Sequence, residues 1–184
     1  MKIMFISDIH GVDSTLEQAL EIAKELQPTK IAILGDVLYH GPRNGVPPSY
    51  NPQRVAELLN ANKQQLIAVR GNCDTEVDQM MLTFPILARC AHIMLDDKSS
   101  FFLTHGHIWN ETNFEQIFDG NAILVHGHTH LPVNKISEKG FRVFNPGSIS
   151  LPKGGHPRTF GLYDTTASDL SIRLLDDWKT IYTP

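Results

Sequence analysis

Cysteine is scarce in this 184-residue chain: there are two, Cys73 and Cys90. Two thiols cannot make a disulfide framework or a cysteine-rich zinc site, and a reducing cytoplasm suits them. Long apolar runs are missing too, and none approaches the ~18 residues of a membrane span. The apolar stretch Ile3 to Ile6 meets Asp8 at once and is too short for a secretory signal. Positive charge is not in excess, with 16 Lys and Arg against 20 Asp and Glu and a net charge of −4. That argues against a protein held on nucleic acid by a broad basic face, but not against local cleavage of a phosphodiester. Repeats, linkers and low-complexity segments are also absent. Hydrophobic residues at 41% and charged residues at 20% are ordinary globular usage, which excludes disorder and collagen-like structure. The length suits one domain, residues 1–184, able to bury roughly two-thirds of its unfolded surface.

The hydrophobic pattern divides the chain in two. Lys2 to Ser7, Lys30 to Leu34 and Leu66 to Arg70 are short apolar runs, the mark of strands buried on both faces. Between the first two, Leu16, Ala19, Leu20, Ala23 and Leu26 recur at helical spacing until Pro28, and Ser14 with Glu17 reads as a capping box. Asn51 as cap and Pro52 open a second helix with Val55, Leu58 and Leu59 inward. A short helix is predicted over Glu76 to Leu82. Alternating strands and helices imply a parallel sheet with right-handed crossovers. The second half is strand-like at Ala91 to Leu95, Ser100 to Thr104, Ala122 to His126, Phe141 to Phe144, Thr159 to Tyr163 and Leu170 to Leu175. One helical stretch interrupts it, Asn113 to Phe118. The expected fold class is α/β (α+β): a four-layer β-sandwich of two mixed sheets flanked by helices.

Histidine is present in unusual number, at nine. Polar clusters stand just past the buried runs: Asp8-Ile9-His10, Gly35-Asp36, Gly71-Asn72-Cys73-Asp74, Thr104-His105-Gly106-His107 and His126-Gly127-His128-Thr129-His130. Loops at the carboxyl ends of parallel strands converge on one crevice. Each cluster alone has an ordinary explanation as a cap, a turn or a packed histidine. Together they would bury many uncompensated polar groups unless a ligand held them. Carboxylates, one amide and several imidazoles without a thiolate pair suit Mn, Fe, Zn, Co or Ni better than Mg or Ca. The donors are too many for one tetrahedral ion and enough for two.

Asp8-x-His10, Gly35-Asp36, Gly71-Asn72, His105 and Gly127-His128-x-His130 together resemble the signature of the calcineurin-like metallophosphoesterases. Gly41-Pro42-Arg43-Asn44, Arg70-Gly71-Asn72-Cys73-Asp74, Gly127-His128-Thr129-His130-Leu131-Pro132 and Phe144-Asn145-Pro146-Gly147-Ser148 resemble one bacterial and archaeal branch of it, the YfcE-type phosphodiesterases. The resemblance covers essentially the whole chain. It implies that Asp8, His10 and His130 bind a first divalent metal, that Asn72, His105 and His128 bind a second, and that Asp36 bridges them. It further implies hydrolysis of a small or nucleotide-like phosphate diester by attack of a metal-bridging hydroxide, most simply with two Mn2+ ions. Zn2+, Fe2+, Ni2+ and Co2+ remain alternatives.

The wider superfamily carries histidine where this chain has Cys73, and that histidine helps protonate the leaving group. A thiol is a poorer proton donor near neutrality, so esters with acidic leaving groups are expected to react best. Asn72, Cys73 and His107 are the candidates for the chemical step. His107 stands either as a substitute acid or as a group orienting a ligand. Arg43 and His40, in the long loop after Asp36, are candidates for substrate binding. Arg70 is expected in a structural salt bridge, and His92, His126 and His156 as structural. Trp109 is expected to pack, and Asn145 to Ser150 to turn beneath the site wall. Two other readings stand beside the diesterase. One is a metal-binding interaction scaffold, resembling the retromer subunit of the same fold; the other is a phosphomonoesterase, which needs a second cation to grip its extra charge. The expected partner is a small phosphate ester, with no stable nucleic-acid binding and no membrane; a homo-oligomer is left open.

Overall fold

The computed structural model describes residues 1–95, 99–118, 122–167 and 169–184. Among the described residues, ten strands form two five-stranded sheets. The first sheet holds β1 (Lys2–Ile6), β2 (Lys30–Ile33), β3 (Leu66–Ala68), β9 (Thr159–Asp164) and β10 (Asp169–Leu174) in the order β10-β9-β1-β2-β3. β1, β2 and β3 run parallel, and β9 is antiparallel to β1. The second sheet holds β4 (Cys90–Met94), β5 (Ser100–Thr104), β6 (Ala122–Val125), β7 (Pro132–Ile136) and β8 (Arg142–Pro146) in the order β4-β5-β6-β8-β7. Its central strands β5, β6 and β8 are parallel to one another.

Period-two alternation sorts the apolar runs between two cores. Ile3 and Phe5 of β1 face the second sheet and join Ala32, Leu34, Phe101, Leu103, Val125 and Phe144 between the sheets. Phe5 meets Phe101 edge-on at 5.2 Å and Phe144 at 5.8 Å. Met4 and Ile6 face the other way, onto α1 (Asp13–Leu26) and α2 (Pro52–Asn62). On the far side of the second sheet, Phe102, Leu124 and Val143 are covered by Phe114, with Trp109 and Phe118 against them. That fourth layer is thin. The helix expected at Asn113 to Phe118 is a single 3-10 turn, Phe114–Gln116.

One local reading changes, and two features appear that the sequence pattern does not announce. α1 starts at Asp13 with Val12 at its N-cap and no side-chain cap, so the Ser14–Glu17 box is not used. Glu17 instead accepts from Arg54 Nε and Nη2 at 3.1 Å, tying α1 to α2. A capping box does occur at α3 (Glu76–Met81), between Thr75 and Asp78. β7 was not expected, because Pro132–Ile136 carries one buried residue and reads as a polar stretch. Asn51 caps α2 as expected, accepting from Arg54 N at 3.1 Å.

Candidate metal centre

The carboxyl ends of β1, β2, β3, β5 and β6 deliver the polar clusters to one edge of the sandwich. Backbone bonds cross between the loops that leave them. Asp8 N donates to Gly35 O, His10 N to Asp36 O and Gly127 N to His105 O. The structure thereby brings together Asp8, His10, Asp36, Asn72, His105, His128 and His130.

The backbone is bent to achieve this. Seven non-glycine residues among those described have positive φ, and five of them are Asp8, His10, Asp36, His128 and His130, at 50–68°. Such conformations cost roughly 1–3 kcal/mol each and persist where the surroundings over-determine them. Glycines make the room. A Cβ on Gly71 would lie 2.1 Å from Asp36 Oδ1, and one on Gly127 would lie 1.9 Å from Ser7 Oγ.

Three imidazoles are held in one tautomer. His10 Nδ1 lies 2.8 Å from Tyr39 O, His105 Nδ1 2.6 Å from Leu34 O, and His130 Nδ1 2.5 Å from Leu151 O. A carbonyl only accepts, so each Nδ1 carries a proton and each Nε2 is turned inward, where it offers its lone pair once the ring is neutral. His10 Nε2 and His130 Nε2 stand 3.3 Å apart. Asp8 Oδ1 is 3.3 Å from His130 Nε2 and 3.8 Å from His10 Nε2. Its other oxygen is occupied, accepting from Ser7 Oγ at 2.7 Å and His128 N at 3.1 Å. Asp8 Oδ1 is buried with no hydrogen-bond partner among the described residues, an acceptor suited to a cation. Asp8, His10 and His130 can hold one ion, and Asp8, Asp36 and His105 form a second such group.

Asp36 belongs to the second group and also reaches His10 of the first. Its Oδ2 is 3.7 Å from His10 Nε2 and 3.4 Å from His105 Nε2, while its Oδ1 accepts from Cys73 N at 2.8 Å. Burial raises its pKa, yet the hydrogen bond and charge of His105, the Cys73 N–H and the charge of His10 outweigh this and hold it well below the usual carboxylate range. Burial lowers His105, yet the bond to Asp36 and the charges of Asp8 and Asp36 push it up to about 9. A metal ion held at His105 would therefore displace a proton. Asn72 Oδ1 lies 3.1 Å from His105 Nε2, and the His128 ring packs edge-on to His105 at 5.1 Å.

Beneath Asp36 lies Asp74, nearly fully buried. It accepts from the backbone N–H groups of Asp36 (2.9 Å), Val37 (2.8 Å) and Gly71 (2.6 Å). Burial pushes its carboxyl up, and the three donors oppose this. Asp74 is thus a clamp joining the β2 and β3 loops, outside the helix cap that Thr75 provides.

His10, Asp36, Asn72, Cys73, His128 and His130 line a cleft of about 60 Å³ above these groups, joined by Arg43, Asn44 and Lys153. Lys153 escaped the sequence reading. Its available sign was Lys153-Gly154-Gly155, just after the turn expected beneath the site wall. His40 does not line the cleft; it packs against Tyr39 and Tyr50. His107 lies over the rings of His105 (5.3 Å) and His128 (6.1 Å) and lines a neighbouring cavity instead. Burial, then the charges of His105 and His128, hold its pKa below the ordinary imidazole value. Cys73 borders the cleft, and burial followed by the charge of Asp36 pushes its thiol up to about 12. The salt bridge expected for Arg70 is not found among the described residues. Its Nε donates to Asp74 O at 3.1 Å, and no carboxylate pairs with it among the described residues. Trp109 packs on Phe102, His156 bonds Tyr182 Oη at 2.7 Å, and Asn145 Nδ2 donates to Gly127 O and Thr129 Oγ1 under the histidine loop.

The chain matches the family described as "Calcineurin-like phosphoesterase superfamily domain" over residues 1–168. It is 48% identical over 181 residues to phosphodiesterase YfcE of Escherichia coli K12, covering 98% of this chain and 96% of that protein. The solved structure of YfcE, a phosphoesterase from E. coli, superposes with a TM-score of 0.92 at 47% identity, over 100% of this chain and 97% of that one. Chaetomium thermophilum Vps29 superposes at 0.59 with 17% identity over 94% of this chain and 86% of that one, which shows the fold alone. From its match over residues 1–168 and its identity to YfcE across nearly its full length, the chain belongs to the calcineurin-like phosphoesterase superfamily and is a phosphoric ester hydrolase.

Proposed function

We propose that this chain is a two-metal phosphodiesterase acting on a small or nucleotide-like phosphate diester, with Mn2+ as its metal, and that residues 1–184 work as one domain. The observation that carries the reading is the Asp36 carboxylate, standing between the Nε2 atoms of His10 and His105. The family implies divalent ions, and the residues present fit them: an orphaned carboxylate oxygen, fixed inward-facing imidazoles and an amide oxygen. Asp8, His10 and His130 would hold one ion, Asn72, His105 and His128 the other, and Asp36 both. Bound there, the ions supply activation of a water nucleophile and stabilisation of charge on the phosphoryl oxygens.

The chain does the rest. The carbonyls of Tyr39, Leu34 and Leu151 fix the ring tautomers before any ligand arrives. Arg43 and Lys153 bring positive charge to the cleft and can grip the non-bridging oxygens. Cys73 keeps its proton and gives it up poorly, so little help reaches the leaving group. The largely neutral His107 faces the neighbouring cavity, which weighs against it as the acid. Cys73→His is accordingly expected to raise kcat/KM by roughly 10²-fold on alkyl diesters and much less on aryl diesters. Equal gains on both classes would remove this account of the cysteine.

The test of the function is hydrolysis of bis(4-nitrophenyl) phosphate with and without Mn2+. Turnover is expected to need the metal. No metal-stimulated turnover would favour the scaffold reading, which has one observation of its own: α3 exposes Val77, Met80 (85%) and Met81. The phosphomonoesterase reading gains from Lys153, the second cation in the cleft. A rate on 4-nitrophenyl phosphate above that on the diester would favour it. No helix among the described residues is long and apolar enough to cross a membrane. Net charge −4 and two free cysteines support a cytoplasmic enzyme without stable nucleic-acid binding.

A further inference from the structure

A second cavity, of about 120 Å³, lies beside the metal cleft, lined by Arg70, Arg89, Thr104, His107 and Ile108. In a chain of net charge −4 its lining is notable: two guanidinium groups and no carboxylate. Neither arginine forms an ion pair among the described residues, and Arg70 commits only its Nε, to Asp74 O. Two unpaired like charges around one concavity repel each other and raise the local positive potential. Their forks match the oxygens of a phosphate. The volume equals the share of about four waters, which is room for a tetrahedral oxyanion.

The cavity and the cleft have a common wall. His107 lines the cavity and packs against His128, which lines the cleft. Arg70 directly precedes Gly71-Asn72, and Thr104 directly precedes His105. The same strand ends that supply proposed metal ligands therefore supply this cavity. An anion held here would be separated from the cleft by the packed rings of His107 and His128.

We propose that Arg70, Arg89 and His107 form an anion subsite for a second phosphate, carried as a monoester on one arm of the diester substrate. This rests on the diesterase reading for its substrate, while the anion site stands on the cavity alone.

The first measurement needs no metal and no turnover. Metal-free protein is titrated with inorganic phosphate while the guanidinium NMR signals of Arg70 and Arg89 are followed. Both signals are expected to move along one saturation curve, and Arg89→Gln is expected to weaken the curve seen at Arg70 by about tenfold. Arg89→Lys should restore only part of it, since a point charge lacks the fork. Unmoved signals, or an unchanged curve in Arg89→Gln, would overturn the subsite. The second measurement uses the Mn2+-loaded enzyme and bis(4-nitrophenyl) phosphate. A nucleoside 3′,5′-bisphosphate is expected to inhibit about tenfold more tightly than the 5′-monophosphate, with most of that difference lost in Arg89→Gln. Equal inhibition in the wild type would overturn the assignment to substrate. The two failures are distinguishable. Absence of all diester hydrolysis removes the diesterase but leaves the phosphate curve, whereas a flat curve in an active diesterase removes only the subsite.

Discussion

Replacing Asp36 by alanine is expected to lower Mn2+-stimulated hydrolysis of an aryl phosphodiester by about 10³-fold or more. The carboxylate is the group shared between the two clusters: Oδ2 faces His10 and His105 while Oδ1 is pinned by Cys73 N. Without it, each remaining cluster is a partial shell, and two cations would face one another with no anion between them. Asp36→Asn tests charge against shape, since the amide can keep the Cys73 bond and still lacks the negative charge. It is expected to lose nearly as much. Metal content after dialysis should fall together with turnover. The fold should survive, because the Asp36 loop is held through its backbone N–H to Asp74. A native circular dichroism spectrum with wild-type turnover in Asp36→Ala would end the bridging account.

The largest expected loss of stability lies at Asp74, which no reaction step uses. Asp74→Ala strands the N–H groups of Asp36, Val37 and Gly71 in a buried place. Each orphaned donor costs roughly 1–3 kcal/mol, and the shared cavity makes the sum less than additive. A destabilisation of about 3–5 kcal/mol is expected from the urea midpoint, against a typical total of about 5–15 kcal/mol. Asp74→Asn keeps one acceptor oxygen and should lose about half as much. An alanine variant within about 1 kcal/mol of wild type would show that these bonds do not tie the two loops.

The candidate site was legible because strand ends are legible. A buried run such as Lys30 to Leu34 must stop where polarity returns, and Gly35-Asp36 is that point. Five such stops carrying ligand-type side chains restrict the arrangement to a converging edge. Long-range pairing was less legible. β9 lies beside β1, with β10 beyond it, some 160 positions away in sequence at Lys2↔Asp164, and nothing in their alternation names those neighbours. β7 escaped because an edge strand with one buried residue has no apolar period to detect. The surroundings of His40 and Arg70 were illegible for a related reason. Their partners, Tyr39 and Tyr50 for one and the Asp74 carbonyl for the other, depend on how loops fold back.

By itself the order of residues determined which side chains leave the strands at one edge, because burying apolar runs on both faces forces polar groups to their ends. The packing of the two sheets decided how those groups meet. It placed Asp36 between two imidazoles, fixed three ring tautomers through the carbonyls of Tyr39, Leu34 and Leu151, and gathered Arg70 and Arg89 around one cavity. Those contacts join residues remote in sequence, and an electrostatic field in a concavity depends on distances that no local pattern encodes.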